Sequence, residues 1–178
     1  PGDFVSHVRM MKTDYEDTGL AQLFGMPFVV LRKPVPFDTT TLNFNWQVWD
    51  TKAFSLYSRS TEKIDKKGAD MAIAAVCRFL SRMNVLNYNV YGGYESTVLI
   101  EEELVSLRST ASGLYIPHVK SFDSVERGQV LADIIDPLTG VTVAQTEAPE
   151  DGIVFFAKDS PLVMENETLF KIVNKLHK

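Results

Sequence analysis

Between Gly113 and Val173 the chain is interrupted by turn residues so often that it can fold only as a series of short strands. GLYIPHVKSFDSVERGQVLADIID leads into a turn at DPLTG, then VTVAQTEAP, a second turn at EDG, and closing segments GIVFF and ETLFKIV. Closely spaced apolar and β-branched segments bounded by Gly, Pro and Asp point to a small all-β module. Segments near 97–109, 113–117, 129–135, 141–147, 152–157 and 168–173 are expected to be its strands, arranged as a sandwich or barrel.

The residues before this module follow another rhythm. DYEDTGLAQLF, residues 14–24, predicts a short helix with acidic residues at its positive end and Gly25 as its stop. PFVVL predicts a short buried strand at residues 28–31, and AFSLYS another at 53–58. Between them, residues 42–49 alternate Leu42, Phe44, Trp46 and Val48 with Asn43, Asn45, Gln47 and Trp49, which predicts a strand or extended loop. From Asp65, a candidate N-cap, the period becomes helical. Ile73, Val76, Cys77, Leu80 and Met83 fall on one face, the expected buried one, with Ala69 and Ala72 nearby allowing close packing.

Strand, polar loop and helix make a layered α/β unit, so residues 1–90 are expected to be part of an α/β domain and residues 91–178 an all-β domain. Gly92 and Gly93, within NYNVYGGYE, mark the boundary. At 178 residues and 45% apolar content the chain can bury one sizeable core or two modest ones.

Charge and composition remove several classes of function. A net charge of −5 without a Lys/Arg stripe argues against nucleic acid, whose affinity rests on cationic contacts to phosphate. No apolar run approaches a membrane span and no signal peptide opens the sequence, so a cytoplasmic protein without a membrane partner is expected. Cys77 is the sole cysteine, which excludes an intrachain disulfide and a cysteine-based zinc site.

SVERGQVLADIID, APEDGIV and ETLFKIV resemble the barrel-sandwich of biotinyl and lipoyl carrier domains. Carriers place a modifiable lysine at a hairpin tip. The corresponding tip here, DPLTG, has none, and Lys158 after a later strand reads as a surface residue. A similar β-domain closes the succinylglutamate desuccinylase/aspartoacylase family of zinc hydrolases. SHVRM, the helix before FGMPFVV, AFSLYSRSTEKID and the helix ending FLSRMNVL follow the order of that family's catalytic domain.

The resemblance implies a zinc-dependent hydrolase of the deacylase type, cleaving an amide bond in an N-acyl amino acid or similar small carboxylate. It also implies an HxxE motif and a second histidine as zinc ligands. His7, His118 and His177 are the only histidines, and none has a glutamate three residues later. Zinc is therefore expected for the complete protein but not through family ligands of this chain, which alone is expected to be inactive. The ligand segment is expected to precede Pro1, being missing or supplied as a companion chain. A homo-oligomer remains open.

The resemblance places Tyr57 at the family's catalytic glutamate. A phenol, with an ordinary pKa of about 10, is a poor general base at neutral pH but can donate a hydrogen bond to an oxyanion. Glu62, in the following loop, is a candidate to take over the acid/base task. Arg9 lies where the family can hold a substrate carboxylate, and Arg59 follows the Tyr57 strand at a frequent ligand position. His7 and His118 read as ordinary polar loop residues, and Glu101, Glu102 and Glu103 as a solvated strand edge, with binding of a hard cation as the weaker alternative. Trp46 and Trp49 are expected between packed layers or lining a pocket. A noncatalytic binding or assembly module derived from the same family is the competing reading.

Overall fold

The structure, a computed structural model, describes residues 2–60, 62–87 and 92–174. His177 and part of the expected boundary segment lie outside them. In chain order the elements are β1 (Gly2–Phe4), β2 (His7–Met11), α1 (Thr18–Gln22), β3 (Phe28–Arg32), α2 (Leu42–Val48), β4 (Ser55–Tyr57), α3 (Lys66–Arg82) and β5 (Thr97–Ile100). They continue with β6 (Val105–Arg108), β7 (Gly113–Pro117), β8 (Ser124–Val125), β9 (Val130–Ile135), β10 (Thr142–Glu147), β11 (Gly152–Lys158), β12 (Leu162–Val163) and β13 (Thr168–Asn174). The chain forms two compact units. One comprises Ser6–Arg59 and Ile64–Glu103, and the other Pro1–Val5, Ser60–Lys63 and Leu104–Lys178.

The first unit is built on a four-stranded sheet in the order β4-β2-β3-β5. β2, β3 and β5 run parallel, and β4 is antiparallel to β2. Successive side chains of a strand point to opposite faces. Val8, Met10, Val29 and Leu31 accordingly enter a core with Ala21, Phe24, Met26 and Ala75. His7, Arg9 and Arg32 belong to the opposite face. α1 starts where Asp17 accepts a hydrogen bond from the Leu20 N–H at 2.9 Å. Gly25 then turns the chain at φ +61°, where a Cβ would stand 2.9 Å from Arg78 Cδ.

Residues 42–49 correct the sequence reading. They form α2 and not a strand, because Thr41 caps the Phe44 N–H at 3.4 Å and the Asn45 amide bonds the Thr39 and Thr41 carbonyls, both at 2.8 Å. Short polar side chains that bond nearby backbone favour a helix start over an extended run. Gln47 is the residue turned inward. It is fully buried, accepting from the Met11 N–H at 3.2 Å and donating to the Met11 carbonyl at 2.6 Å and to Thr13 Oγ1 at 2.7 Å. Trp46 and Trp49 are 50% and 82% exposed, so neither packs between layers.

α3 begins at its expected cap, with Asp65 accepting from the Lys67 N–H at 3.1 Å. Its buried face is not the expected one. Gly68, Ala75 and Arg78 are buried, and Ala72 and Phe79 pack on the core, whereas Ile73 is 64% exposed and Val76 and Met83 are each 42% exposed. The inward face is rotated by one residue, about 100°, from the most apolar stripe. Small residues let the helix lie close to the sheet, and the Arg78 guanidinium then reaches the carbonyls of Phe24 and Gly25. The carbonyls that follow α1 thus take a cation where periodicity alone would place an aliphatic side chain.

The second unit holds two sheets. One is five-stranded, β1-β11-β13-β6 with β8 also on β11, and the other is four-stranded, β10-β9-β7-β12. Both feed one core, with Tyr115, Leu131 and Ile134 from the second sheet meeting Val154, Leu169, Phe170 and Ile172 from the first. Among the described residues no sheet closes into a barrel. Asp136 shapes the DPLTG hairpin, accepting from the Leu138 and Thr139 N–H groups at 2.7 and 3.3 Å. Close pairing at β11 needs Gly152, where a Cβ would meet Val173 O at 2.6 Å.

Two further corrections follow. The expected strand over residues 97–109 is divided into β5, a 310 turn at Glu101–Glu103, and β6. Lys158 is not a surface residue: it is buried, and its Nζ donates to Glu167. No helix among the described residues is long and apolar enough to cross a membrane.

Candidate functional site

The polar face of the first sheet gathers the charged groups. His7 and Tyr57 lie directly opposite each other on β2 and β4, and their rings stack with centroids 4.9 Å apart and planes 10° from parallel. His7 is therefore a buried strand residue and not a loop residue. Arg9, two residues on and so on the same face, donates from Nη1 to the Tyr57 hydroxyl at 3.2 Å. Its Cζ lies 5.0 Å from the centre of the Tyr57 ring, within the range of a cation–π interaction.

The remaining partner comes from far along the chain. Arg9 Nη2 donates to Glu101 Oε2 in an ion pair whose two side chains are each 18% exposed. Arg32 Nε lies 3.9 Å from the same oxygen, while Arg32 Nη1 lies 3.2 Å from Asp38 Oδ1. Asp38 is buried, and its other oxygen accepts from the Val35 N–H at 2.8 Å. Burial opposes the Arg9 charge, but Glu101 and Tyr57 outweigh it and raise the guanidinium above its ordinary pKa. Arg9 is a permanent cation here.

The three glutamates lie on a turn and not on a strand; Glu102 and Glu103 are solvated as expected, and Glu101 is not. They form a turn in which Glu101 neutralises Arg9 and Glu102 accepts from the Lys33 N–H at 2.9 Å. Of the residues picked from sequence, the fold joins Arg9 to Tyr57. Arg59 is half-buried two residues past β4. Glu62 is exposed and belongs to the second unit. His118 is also in that unit, with Nε2 2.9 Å from Asp133 Oδ2.

Arg32 and Asp38 escaped the sequence reading, which placed Glu101 on a solvated edge and Gln47 on a strand. A glutamate one residue past an apolar parallel strand is a weak cue, and its partner lies 92 residues away. Among the described residues, no group of three or more His, Cys, Asp or Glu side chains is placed to hold a metal ion. They do not fit the zinc ligand set that the resemblance implies.

The chain matches no protein-family model and no curated protein sequence. Solved structures do match. The product-bound ectoine utilization protein EutE of Ruegeria pomeroyi aligns over 98% of this chain and 55% of its own, with a TM-score of 0.78 and 13% identity. A succinylglutamate desuccinylase/aspartoacylase of Rhodobacter sphaeroides aligns over 99% of this chain and 56% of its own, at 0.76 and 14%. A protein of Shewanella frigidimarina described in the same terms aligns over 98% and 51%, at 0.73 and 18%.

The chain has the succinylglutamate desuccinylase/aspartoacylase fold. It spans about half the length of the matched structures. Within this desuccinylase/aspartoacylase fold, the Arg9–Tyr57–Glu101 cluster draws on β2, β4 and the turn just past β5.

Proposed function

We propose that this chain is part of a hydrolase of the deacylase type that cleaves an amide bond in an N-acyl amino acid or similar small carboxylate. Arg9 holds the substrate carboxylate, Arg59 supplies a second cation near the end of β4, and Tyr57 serves the reacting centre as a hydrogen-bond donor. The pairing of Arg9 with Tyr57 carries this reading. A phenolic oxygen that accepts from Arg9 at 3.2 Å directs its own proton elsewhere, and the adjacent cation strengthens that donor toward an anionic oxygen.

The desuccinylase/aspartoacylase fold of the neighbours supports the reaction class. Zinc belongs to the proposal for the complete enzyme. Its ligands are assigned to a preceding segment or companion chain and not to the residues described.

The test is hydrolysis of a panel of N-acyl amino acids by the longest natural product of the gene, with and without Arg9→Met. A rise in KM for free carboxylates, absent for their methyl esters, is expected. Equal KM values for both variants on the free acids would remove Arg9 from substrate binding.

A noncatalytic binding or assembly module is the second reading. Tyr57 at the position the resemblance gives to a glutamate favours it, as does an Arg9 already paired within the chain. Absence of turnover on the whole panel by the zinc-loaded natural product would select it.

A further inference from the structure

Arg9 and Arg32 converge on one carboxylate oxygen, Glu101 Oε2, yet each is anchored by another group. Arg9 is held by the Tyr57 hydroxyl and ring, and Arg32 by Asp38 at 3.2 Å. Asp38 is in turn fixed by the Val35 N–H in a 310 turn, Pro36–Thr40, that does not depend on Glu101. Glu101 itself is carried on a three-residue turn, Glu101–Glu103. The two cations are therefore prepositioned, and the anion between them is supplied by a turn just past the end of β5.

The anion also fits incompletely. A guanidinium offers a carboxylate two parallel donors along one edge, and the bidentate pairing is the strong one. Glu101 engages Nη2, while the neighbouring Arg9 Nε is buried without a hydrogen-bond partner. A buried donor left unpaired costs free energy that a better-placed acceptor would recover. A carboxylate free of the chain can take Nε and Nη2 together. One tethered at Glu101 takes only the second.

We propose that Arg9 and Arg32 form a binding fork for a small carboxylate, and that the chain's own Glu101 occupies this fork as an internal competitor. Arg9, Arg32, Asp38 and Glu101 sum to zero formal charge. Withdrawal of Glu101 leaves a net positive site bounded by the Tyr57 ring, suited to a monocarboxylate or to the carboxylate end of an acyl amino acid. The inference shares Arg9 with the proposed function but does not require hydrolysis, so its test reads binding and not turnover.

The experiment compares the wild-type chain with Glu101→Ala and Glu101→Gln. Thermal unfolding and calorimetric titration are followed in sodium formate and sodium acetate, against sodium chloride at equal ionic strength. The alanine variant is expected to bind acetate or formate at least about tenfold more tightly than wild type, with stabilisation absent in chloride. Adding Arg9→Met to that variant is expected to abolish the response. If Glu101→Ala fails to fold, the near-isosteric Glu101→Gln carries the comparison.

Folding of either variant only in the presence of carboxylate would support the fork. A response no greater than in chloride, or carboxylate binding equal to wild type, would overturn it. Failure of both variants to fold with or without carboxylate would make Glu101 a structural counter-ion and overturn it as well. Carboxylate binding by the variants together with no effect of Arg9→Met on KM would reject the deacylase role of Arg9 and leave the fork standing.

Discussion

Arg9 and Tyr57 meet twice, once through a hydrogen bond of 3.2 Å to the phenolic oxygen and once through the ring, whose centre lies 5.0 Å from the guanidinium carbon. Tyr57→Phe separates the two contacts, since it removes the hydroxyl and keeps the ring. Stability is expected to fall by about 0.5–1.5 kcal/mol, the usual value of one such bond. In the longest natural product, turnover should fall while KM for the carboxylate holds. Unchanged kcat in steady-state assays would exclude a part for the hydroxyl in the reaction.

Gln47 closes the end of β2 against α2 with three hydrogen bonds, two of them to the backbone of Met11. Gln47→Leu keeps the volume and leaves the Met11 N–H and carbonyl without these partners. Each buried group so stranded costs about 1–3 kcal/mol. A loss of about 2–5 kcal/mol in urea unfolding is expected, and a loss below about 0.5 kcal/mol would show that water replaces the amide at no cost.

The rotated burial of α3 makes opposite predictions for adjacent stripes. Ile73→Gln, on the exposed side, should change stability by no more than about 0.5 kcal/mol. Ala75→Leu, on the fully buried side, should destabilise by about 1–3 kcal/mol through overpacking against the sheet. Thermal melts of the pair would reverse that order if the apolar stripe faced inward.

Lys158 and Glu167 predict an effect of acid. The Glu167 carboxyl is held below its ordinary value by the hydrogen bond from Lys158 and then by the Met164 N–H. A carboxylate depressed in the folded state stabilises the fold above its unfolded pKa, about 4.3, and loses that contribution as pH falls through the folded value. Glu167 is substantially exposed, so solvent screening keeps the effect modest. Urea midpoints measured in steps from about pH 5 to about pH 3 should decline less steeply in Lys158→Met than in wild type. Parallel curves for the two proteins would refute the coupling.

Much of the architecture could be read from local patterns. Apolar runs such as FVVL and turn residues such as DPLTG act over a few positions, and both appear where expected, as β3 and as the hairpin between β9 and β10. Asp65 caps its helix for the same reason. Features decided by distant partners were not legible. Leu42–Val48 alternates like a strand, yet its fate turns on the caps around Thr41 and on Gln47 reaching Met11. Ile73 and Val76 look like a core stripe because periodicity cannot foresee that Arg78 will be required at the Phe24 carbonyl. In the candidate site, Arg9 and Tyr57 could be named from sequence through a resemblance. Glu101 could not, because its pairing is a property of the assembled sheet.

That pairing also bears on how the first unit assembles. β2, β3 and β5 are parallel, so none of their contacts can form by a tight hairpin, and the partner of Arg9 arrives only when a segment 92 residues away docks beside β3. Closing so long a loop carries an entropic cost before any contact rewards it, which slows folding. Stopped-flow refolding should show Glu101→Gln acting on the unfolding rate and leaving the folding rate unchanged, as expected of a contact made after the barrier. The carboxylate then behaves as a latch. It adds little to the search for the native sheet, and sets how long the sheet stays closed once it is found.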